Sequence, residues 1–481
     1  MRGLACGAAL VLVVGGVVPM ASPVVAATGG DAVMPYDFDG DGYADLTVGV
    51  AGEDLRGTKN VGAVQVLYGS ASGVTARDQL WHQGRKGVKG VLERQDRFGW
   101  ALASGDFDGD GYADLAIGIP FENVGKTKNA GAVQVLYGSR TGLTAHDQVW
   151  HQGKPGVPGV NEEEDLFGRD LAAGDFNGDG YAELAISLGE DNGFVVILNG
   201  STSGLASDGA LRLRQGKAGL PSQPDGYEAF GRALATGDID GDGSDDLAIS
   251  VASEADNPHT VEIPGSAVHV LLGSPTGVSA TGSQYIVPAD LGLPDYWQMG
   301  DTALADFNGD GFDDLVLSSN VSSATVAVLH GHADGLHPAA LPAAGTPGTD
   351  AKWAIQWWND NYGPDVASGD LTGDGNPDLA VEIGRGVRVI LGTAGGLGVA
   401  DVTWPAGTFD GTEVAVLPLS GGTHAWLAVY TDNARQAGSV TVQRGAADGT
   451  LGSVEVWSQD SPGVKGGKES GDVFGASIGG G

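Results

Sequence analysis

With 481 residues, 83 of them glycine and 41% of them hydrophobic, the chain has apolar material for a core and lacks the composition of wholesale disorder. Its formal net charge of −36 excludes nucleic-acid binding as a main activity, because phosphate backbones need clustered lysine and arginine. The single cysteine, Cys6, leaves no disulfide and no thiol nucleophile in the rest of the chain.

Residues 1–27, MRGLACGAALVLVVGGVVPMASPVVAA, run from a charged start through an apolar stretch to small residues. This is the pattern of a secretory signal peptide, with removal expected near Ala27. Residues 28–36 form a short N-terminal segment, and residues 37–481 are expected to make one domain. Cys6 precedes most of the apolar run, a poor place for a lipid-modified cysteine. No later apolar stretch is long enough to span a membrane. The expected product is a secreted, extracellular, soluble monomer.

DFDGDGYADL stands at residues 37–46 and again at 106–115. Related loops follow: DFNGDGYAE from Asp175, DIDGDGSDD from Asp238, DFNGDGFDD from Asp306 and DLTGDGNPD from Asp370. Successive starts lie 69, 69, 63, 68 and 64 residues apart. Each loop puts oxygen-bearing side chains at positions 1, 3, 5 and 9 and a glycine at position 6. The first three sets are Asp37, Asp39, Asp41 and Asp45; Asp106, Asp108, Asp110 and Asp114; Asp175, Asn177, Asp179 and Glu183. The other three are Asp238, Asp240, Asp242 and Asp246; Asp306, Asn308, Asp310 and Asp314; Asp370, Thr372, Asp374 and Asp378.

Hard cations such as calcium want several oxygens at about 2.3–2.6 Å, and glycine at position 6 permits a sharp turn. The first nine positions mimic an EF-hand loop. Position 12 carries no glutamate, however, and falls in an apolar run such as LAIG that reads as a strand. Asp, Asn and Gly also make ordinary hairpin turns. A turn has no need of an acid at position 9, yet all six copies have one. The reading is about six calcium ions, one per loop. Two loops are less regular: Glu183 adds a methylene at position 9, and Thr372 offers only a hydroxyl at position 3.

The same strands recur around each loop. FGWALASGD (98–106), FGRDLAAGD (167–175) and FGRALATGD (230–238) lead in; YADLAIGIP (112–120), GAVQVLYGS (131–139) and DQVWHQG (147–153) follow the second loop. Four short strands per unit, without helical periodicity, describe antiparallel blades repeating radially, so the expected fold is an all-β propeller.

Phe98-Gly99 with Gly118-Ile119-Pro120 resembles the FG-GAP repeat of the integrin α-subunit propeller, and the acidic loop between the first two strands resembles that family too. The likeness covers roughly residues 37–481. It departs at residues 49–51, which read GVA, and the integrin leg domains, membrane helix and inserted ligand-binding domain have no counterpart. The resemblance implies a binding or adhesion module.

Six loops do not exhaust the chain. VAVLPLSGGTHAWLAVYTD (414–432) keeps the apolar pattern without the acids and puts Pro418, Ser420, Gly422 and Trp426 at the four ligand positions. This unit is expected to bind no metal. Near the C-terminus, Phe474-Gly475 matches Phe98-Gly99, whereas Asp37 has no such strand before it. The C-terminal strand is therefore expected to complete the first blade, closing a ring of seven and hiding its edges.

Connections between strands two and three, and from strand four to the next unit, vary most and make the face away from the calcium loops. In the first two blades they carry Arg56, Lys59, Arg85, Lys86, Lys89, Arg94, Arg97, Lys126, Lys128 and Lys154, with nine acids among them. A solvated mixed-charge surface competes there with an anion site at Lys86 and Lys89. Tyr296, Trp297, Trp353, Trp357, Trp358 and Tyr362 offer an aromatic ligand surface, or else fill outer-strand core as Trp81, Trp150 and Trp457 are expected to. His330, His332 and His337 align with a hairpin turn, with a zinc site as the alternative. No catalytic set emerges, since GxSxG, HExxH and phosphate-binding loops are absent.

Two functions follow. The favoured one is a secreted, calcium-stabilised module that binds or adheres to a protein or glycan. The other is a secreted hydrolase of glycans or phospholipids. The FG-GAP phospholipases that the chain resembles carry a separate catalytic domain, which weighs against the second.

Overall fold

Strands two and three of each unit are near-continuous apolar runs, and a sheet strand of that kind must be covered on both faces. Packing the sheets face against face around an axis does this, and the chain folds that way. The computed structural model describes residues 8–13, 24–25, 33–189, 193–217, 219–221, 228–253, 266–293, 299–319, 324–337, 353–355, 365–382, 387–398, 401–403, 414–417, 425–433, 436–446, 451–465, 474 and 477–480. Among them the only helical element is a single 3-10 turn, Pro288–Leu291.

Seven antiparallel sheets form a propeller. Blade 2 shows the pattern: Leu102–Gly105, Asp114–Ile119, Ala132–Leu136 and Asp147–Trp150, from the axis outward. Blade 3 is Leu171–Gly174, Glu183–Leu188, Phe194–Asn199 and Ala206–Leu213; blade 4 is Glu228–Gly237, Asp246–Ser253, Ala267–Leu271 and Gln284–Ile286. Blade 5 is Met299–Ala305, Asp314–Ser319, Ala324–Leu329 and Trp353–Ile355; blade 6 is Val366–Gly369, Asp378–Glu382, Val387–Ile390 and Asp401–Thr403. Blade 7, lacking an acidic loop, is Val414–Leu417, Trp426–Asn433, Gln436–Gly445 and Leu451–Trp457. In blade 1, Leu46–Val50, Ala63–Leu67 and Asp78–Trp81 are joined by Ser477–Gly480, whose Ile478 pairs with Val48. Ala8–Val13 lies along the other side of Ser477–Gly480 and pairs with Val24–Val25.

Cores lie between blades rather than within them. Val64, Val66, Trp81, Phe98, Leu115, Ile117 and Leu136 fill one joint, and Leu46, Val48, Val416, Trp426, Tyr430 and Phe474 share another. The two glycines of the FG-GAP resemblance meet at these joints. A Cβ on Gly118 would overlap the carbonyl oxygen of Gly168, and one on Gly168 would come 3.4 Å from the Gly118 Cα. Gly99 stands in the same relation to Gly49. Gly99 and Gly168 also hold φ of 84° and 87°, which favours glycine. Close backbone approach, rather than flexibility, is what this pair of glycines serves.

An outer clasp adds to each of two joints. Lys89 donates from its backbone N–H to Asp147 Oδ2 (2.8 Å) and from Nζ to Oδ1 (2.8 Å), while Gln83 Nε2 donates to Glu122 (2.7 Å). From blade 7 to blade 1, Lys465 repeats the grip on Asp78 (2.7 and 2.7 Å) and Gln459 that on Glu53 (2.6 Å).

Candidate metal centres

Each acidic loop is organised by its first residue. In blade 2, Asp106 Oδ1 accepts the N–H groups of Gly109 (2.7 Å) and Asp110 (3.2 Å), and Oδ2 accepts that of Gly111 (3.0 Å). Gly109 and Gly111 turn the chain with φ of 70° and 90°. The position-1 carboxylates of the other five loops accept the N–H groups at positions 5 and 6 in the same way, at 2.8–3.1 Å.

The position-9 acid fastens the loop to the sheet. Asp114 Oδ2 accepts the N–H of Phe107 (2.9 Å) and Oδ1 that of Gly138 (2.8 Å), just past the third strand. Asp378 accepts the N–H groups of Thr372, one position later, and Gly392, while Asp45 and Asp246 repeat both bonds of Asp114. Glu183 does so with a longer reach, 2.9 Å to Phe176 and 3.4 Å to Gly200. In the seventh blade Trp426 takes this position, and the N–H of Gly445 donates to the Ala425 carbonyl instead (3.0 Å). Pro418, Ser420 and Gly422 lie outside the described residues.

Three loops bring carboxylates together with ligand oxygens within 4.8 Å of one another: Asp37, Asp39 and Asp41; Asp106, Asp108 and Asp114; Asp238, Asp240 and Asp246. These are the loops with acids at all four positions; the others have Asn177, Asn308 or Thr372 at position 3. Burial pushes these carboxyls up, opposed by the N–H groups they accept and reinforced by neighbouring carboxylates. Asp37 and Asp108 rise to about 6, Asp378 to about 7, Asp246 and Glu183 to about 8 and Asp114 to about 9. Asp39 Oδ1 and Asp314 Oδ2 are buried with no hydrogen-bond partner among the described residues. An all-oxygen donor set, crowded and partly orphaned, fits a hard cation placed among it. Arg77 already offers positive charge to the first loop through Asp39, under the ring of Tyr68 (3.8 Å).

Two acids outside the 1-3-5-9 pattern belong to the same rim. Asp245 Oδ2 accepts the N–H of Asp175 (2.8 Å), and Asp313 Oδ2 that of Asp238 (3.0 Å), each reaching back to the preceding blade's loop. The N–H of position 8 likewise donates to the position-1 carbonyl of the preceding loop, from Ala113, Ala182, Asp245 and Asp313 at 2.8–3.2 Å. The loops are thus bonded to one another around one face. The sequence signal for the extra acids is the doublet DD at 245–246 and 313–314 where the first loops have AD.

The other candidates fall out as follows. His330 and His337 pair across a turn closed by Gly335 N–H to His332 O (2.7 Å), and His330 Nδ1 lies 3.0 Å from Asp314 Oδ1 of the fifth loop. Among the described residues none of the three histidines falls in a metal-ligand cluster. Trp81 and Trp150 are buried, and Trp457 packs partly buried on the core. Trp297, Trp357, Trp358, Tyr296 and Tyr362 lie outside the described residues, as does the side chain of Trp353. Lys86 is exposed; Lys89 is drawn along the outer rim to Asp147, at the end of the outer strand nearer the acidic loops. Arg85 and Arg97 stack on Trp81 (3.9 Å) and Trp100 (5.1 Å), and Lys59 meets Asp54 (2.5 Å), so several of the bases serve their own blades.

Seven four-stranded blades with acidic loops at one end define a β-propeller whose rim carries carboxylate clusters that could hold metal ions. The FG-GAP repeat model matches residues 29–67, 98–136, 167–198 and 230–261, so the chain carries FG-GAP repeats, and its propeller is similar in sequence to integrin α subunits. It is 34% identical over 158 residues to the phosphatidylinositol-glycan-specific phospholipase D of Bos taurus, covering 33% of this chain and 18% of that protein. It is 30% identical over 238 residues to integrin alpha-PS2 of Drosophila melanogaster, covering 47% and 15%. The chain spans less than a fifth of the length of these curated relatives. Among solved structures, an Agrocybe aegerita lectin that recognises non-reducing terminal N-acetylglucosamine aligns with a TM-score of 0.48 and 14% identity over 89% of this chain and 94% of that one, too distant to bear on function. No helix among the described residues is long and apolar enough to cross a membrane.

Proposed function

We propose that the protein is a secreted, calcium-binding propeller that serves as an adhesion or ligand-binding module for a protein or glycan. The observation that carries this reading is the set of six acidic loops, each with a position-1 and a position-9 acid engaged by backbone N–H groups, on a propeller similar to that of integrin α subunits. Calcium would be held by the 1-3-5-9 oxygens, with the weak affinities of roughly 10⁻⁴–10⁻³ M usual for extracellular modules. Its role is indirect: loops bonded to one another become rigid, which lowers the ordering cost of binding elsewhere. The ligand is assigned to the face away from the loops, where connections differ from blade to blade and where Lys86 and the tryptophans 297, 357 and 358 are candidates. Residues 1–27 are read as the export signal.

The test is capture of a partner from whole cells and on a glycan array, followed by two variants. Trp297→Ala with Trp358→Ala, or Lys86→Ala, should weaken binding at unchanged melting temperature and calcium content. Normal binding by both, with loss on a conservative change at the calcium rim, would put the ligand on the other face.

A further inference from the structure

In blades 1 to 6 the turn joining the third and fourth strands carries a glycine at the joint with the preceding blade, and what it meets there differs at one joint. A Cβ on Gly142 would overlap the Tyr68 hydroxyl, and one on Gly204 the Tyr137 hydroxyl. On Gly73 it would meet Trp426 at 2.6 Å, on Gly335 Gln284 at 2.6 Å, and on Gly396 His330 at 3.8 Å. On Gly277, between blades 3 and 4, it would meet nothing within 4 Å.

Two substitutions account for the gap. Tyr68 donates its hydroxyl proton to Gln79 Oε1 (2.7 Å) and accepts the N–H of Leu143 (3.1 Å); Tyr137 accepts the N–H of Leu205 (3.2 Å). In blade 3 the place of the tyrosine is taken by Asn199. Leu211, which faces Ile197 as Gln79 faces Val66, takes the place of the glutamine. A cavity of about 510 Å³ is left, lined by Phe176, Ile197 and Val278, by Asn199 and Thr276, and on one side by the acidic-loop residues Asn177, Asp179 and Glu183. Val278 is 5% exposed, and its N–H, the counterpart of those of Leu143 and Leu205, has no partner among the described residues.

The geometry points to a binding site for a neutral pyranose, the terminal sugar of a glycan, between blades 3 and 4. In two neighbouring joints a phenol ring fills this space and offers an oxygen to the same N–H. An occupant of the open joint therefore needs a ring of similar size with an oxygen at that point. Because the equivalent N–H groups of Leu143 and Leu205 each meet a phenol oxygen, a ligand oxygen at this N–H is favoured over an apolar ring. A pyranose also lays its C–H face on Ile197 and on half-exposed Leu211, while its remaining hydroxyls reach Asn199 and Thr276. The lining has no lysine or arginine to pair with an anionic ring, and its Asn177, Asp179 and Glu183 are candidate calcium ligands of the third loop, so the site adjoins that loop. This site lies on the calcium side and does not depend on the far-face ligand proposed above.

The test uses the full chain in calcium and, by saturation-transfer NMR and calorimetry, the methyl glycosides of glucose, galactose, mannose and N-acetylglucosamine. At least one should bind saturably. Asn199→Tyr with Leu211→Gln rebuilds the filled joint of blades 1 and 2; it should keep the melting temperature and weaken binding roughly tenfold or more. Should that variant not fold, Leu211→Glu, at a half-exposed position, should weaken binding by setting a charge against the ring. No saturation by any of the four sugars, or unchanged affinity in the folded variants, overturns the site. Far-face partner capture that survives in Asn199→Tyr with Leu211→Gln keeps the two proposals separate.

Discussion

Removing divalent cations with a chelator leaves the loop carboxylates facing one another, and the pH dependence of stability should then invert. In the metal-free fold Asp114 is pushed up to about 9 and Asp246 and Glu183 to about 8, by burial first and neighbouring acids second. In the unfolded chain they return to about 4, so between about pH 4 and 8 the folded state holds more protons. Stability from a raised acid is fully present below its unfolded pKa and is lost as pH climbs through the folded one. Asp114 alone would cost about 3 kcal/mol between pH 5 and 7, at about 1.4 kcal/mol per unit. With calcium bound the sign reverses, because protons compete with metal for the same oxygens. Each site at a hundredfold excess over its Kd adds about 2.7 kcal/mol. Thermal melts followed by circular dichroism from pH 5 to 8, in chelator and in calcium, read both slopes. A chelated protein that melts higher at pH 8 than at pH 5 would refute the reasoning.

Asp110→Ala removes an exposed position-5 ligand, and metal analysis should find one calcium fewer out of about six; Ser420→Ala in blade 7 should leave the stoichiometry unchanged. Phe474 is 0% exposed between blades 7 and 1, so Phe474→Ala should cost about 3–5 kcal/mol in urea unfolding. A midpoint equal to wild type would mean that this segment does not hold the joint. Gly118→Ala drives a methyl group onto the Gly168 carbonyl and should destabilise by about 1–3 kcal/mol, read from the same urea curves.

What the sequence displays well is what repeats locally. Acids at positions 1, 3, 5 and 9 with glycine at 6 recur within nine residues, and the structure organises each such loop around its first acid. The apolar runs that read as strands became strands, and their lack of alternation reflects cover on both faces. Relations that cross a joint were not legible. Asp245 looks like a spare acid until its carboxylate is found on the preceding loop. Lys89 looks like a free surface base until the loop carrying it folds back along the rim to Asp147. The gap at Gly277 requires Asn199 and Leu211 to be recognised as neighbours, and a three-residue register shift between Ile197 and Asn199 hides Leu211 from a simple alignment with Gln79. The aromatic candidates at 297, 357 and 358 fall outside the described residues.

The meeting of Gly99 with Gly49, and of Gly168 with Gly118, bears on how such a chain can grow. Each repeat builds one blade, but its FG phenylalanine is seated in the joint with the blade before it, as Phe98 is between blades 1 and 2. A tandem copy of one repeat therefore carries both a socket and the plug that fits its twin. Duplication within a gene can add a blade without inventing a contact surface, and the ring's geometry, rather than any new chemistry, decides when copying must stop.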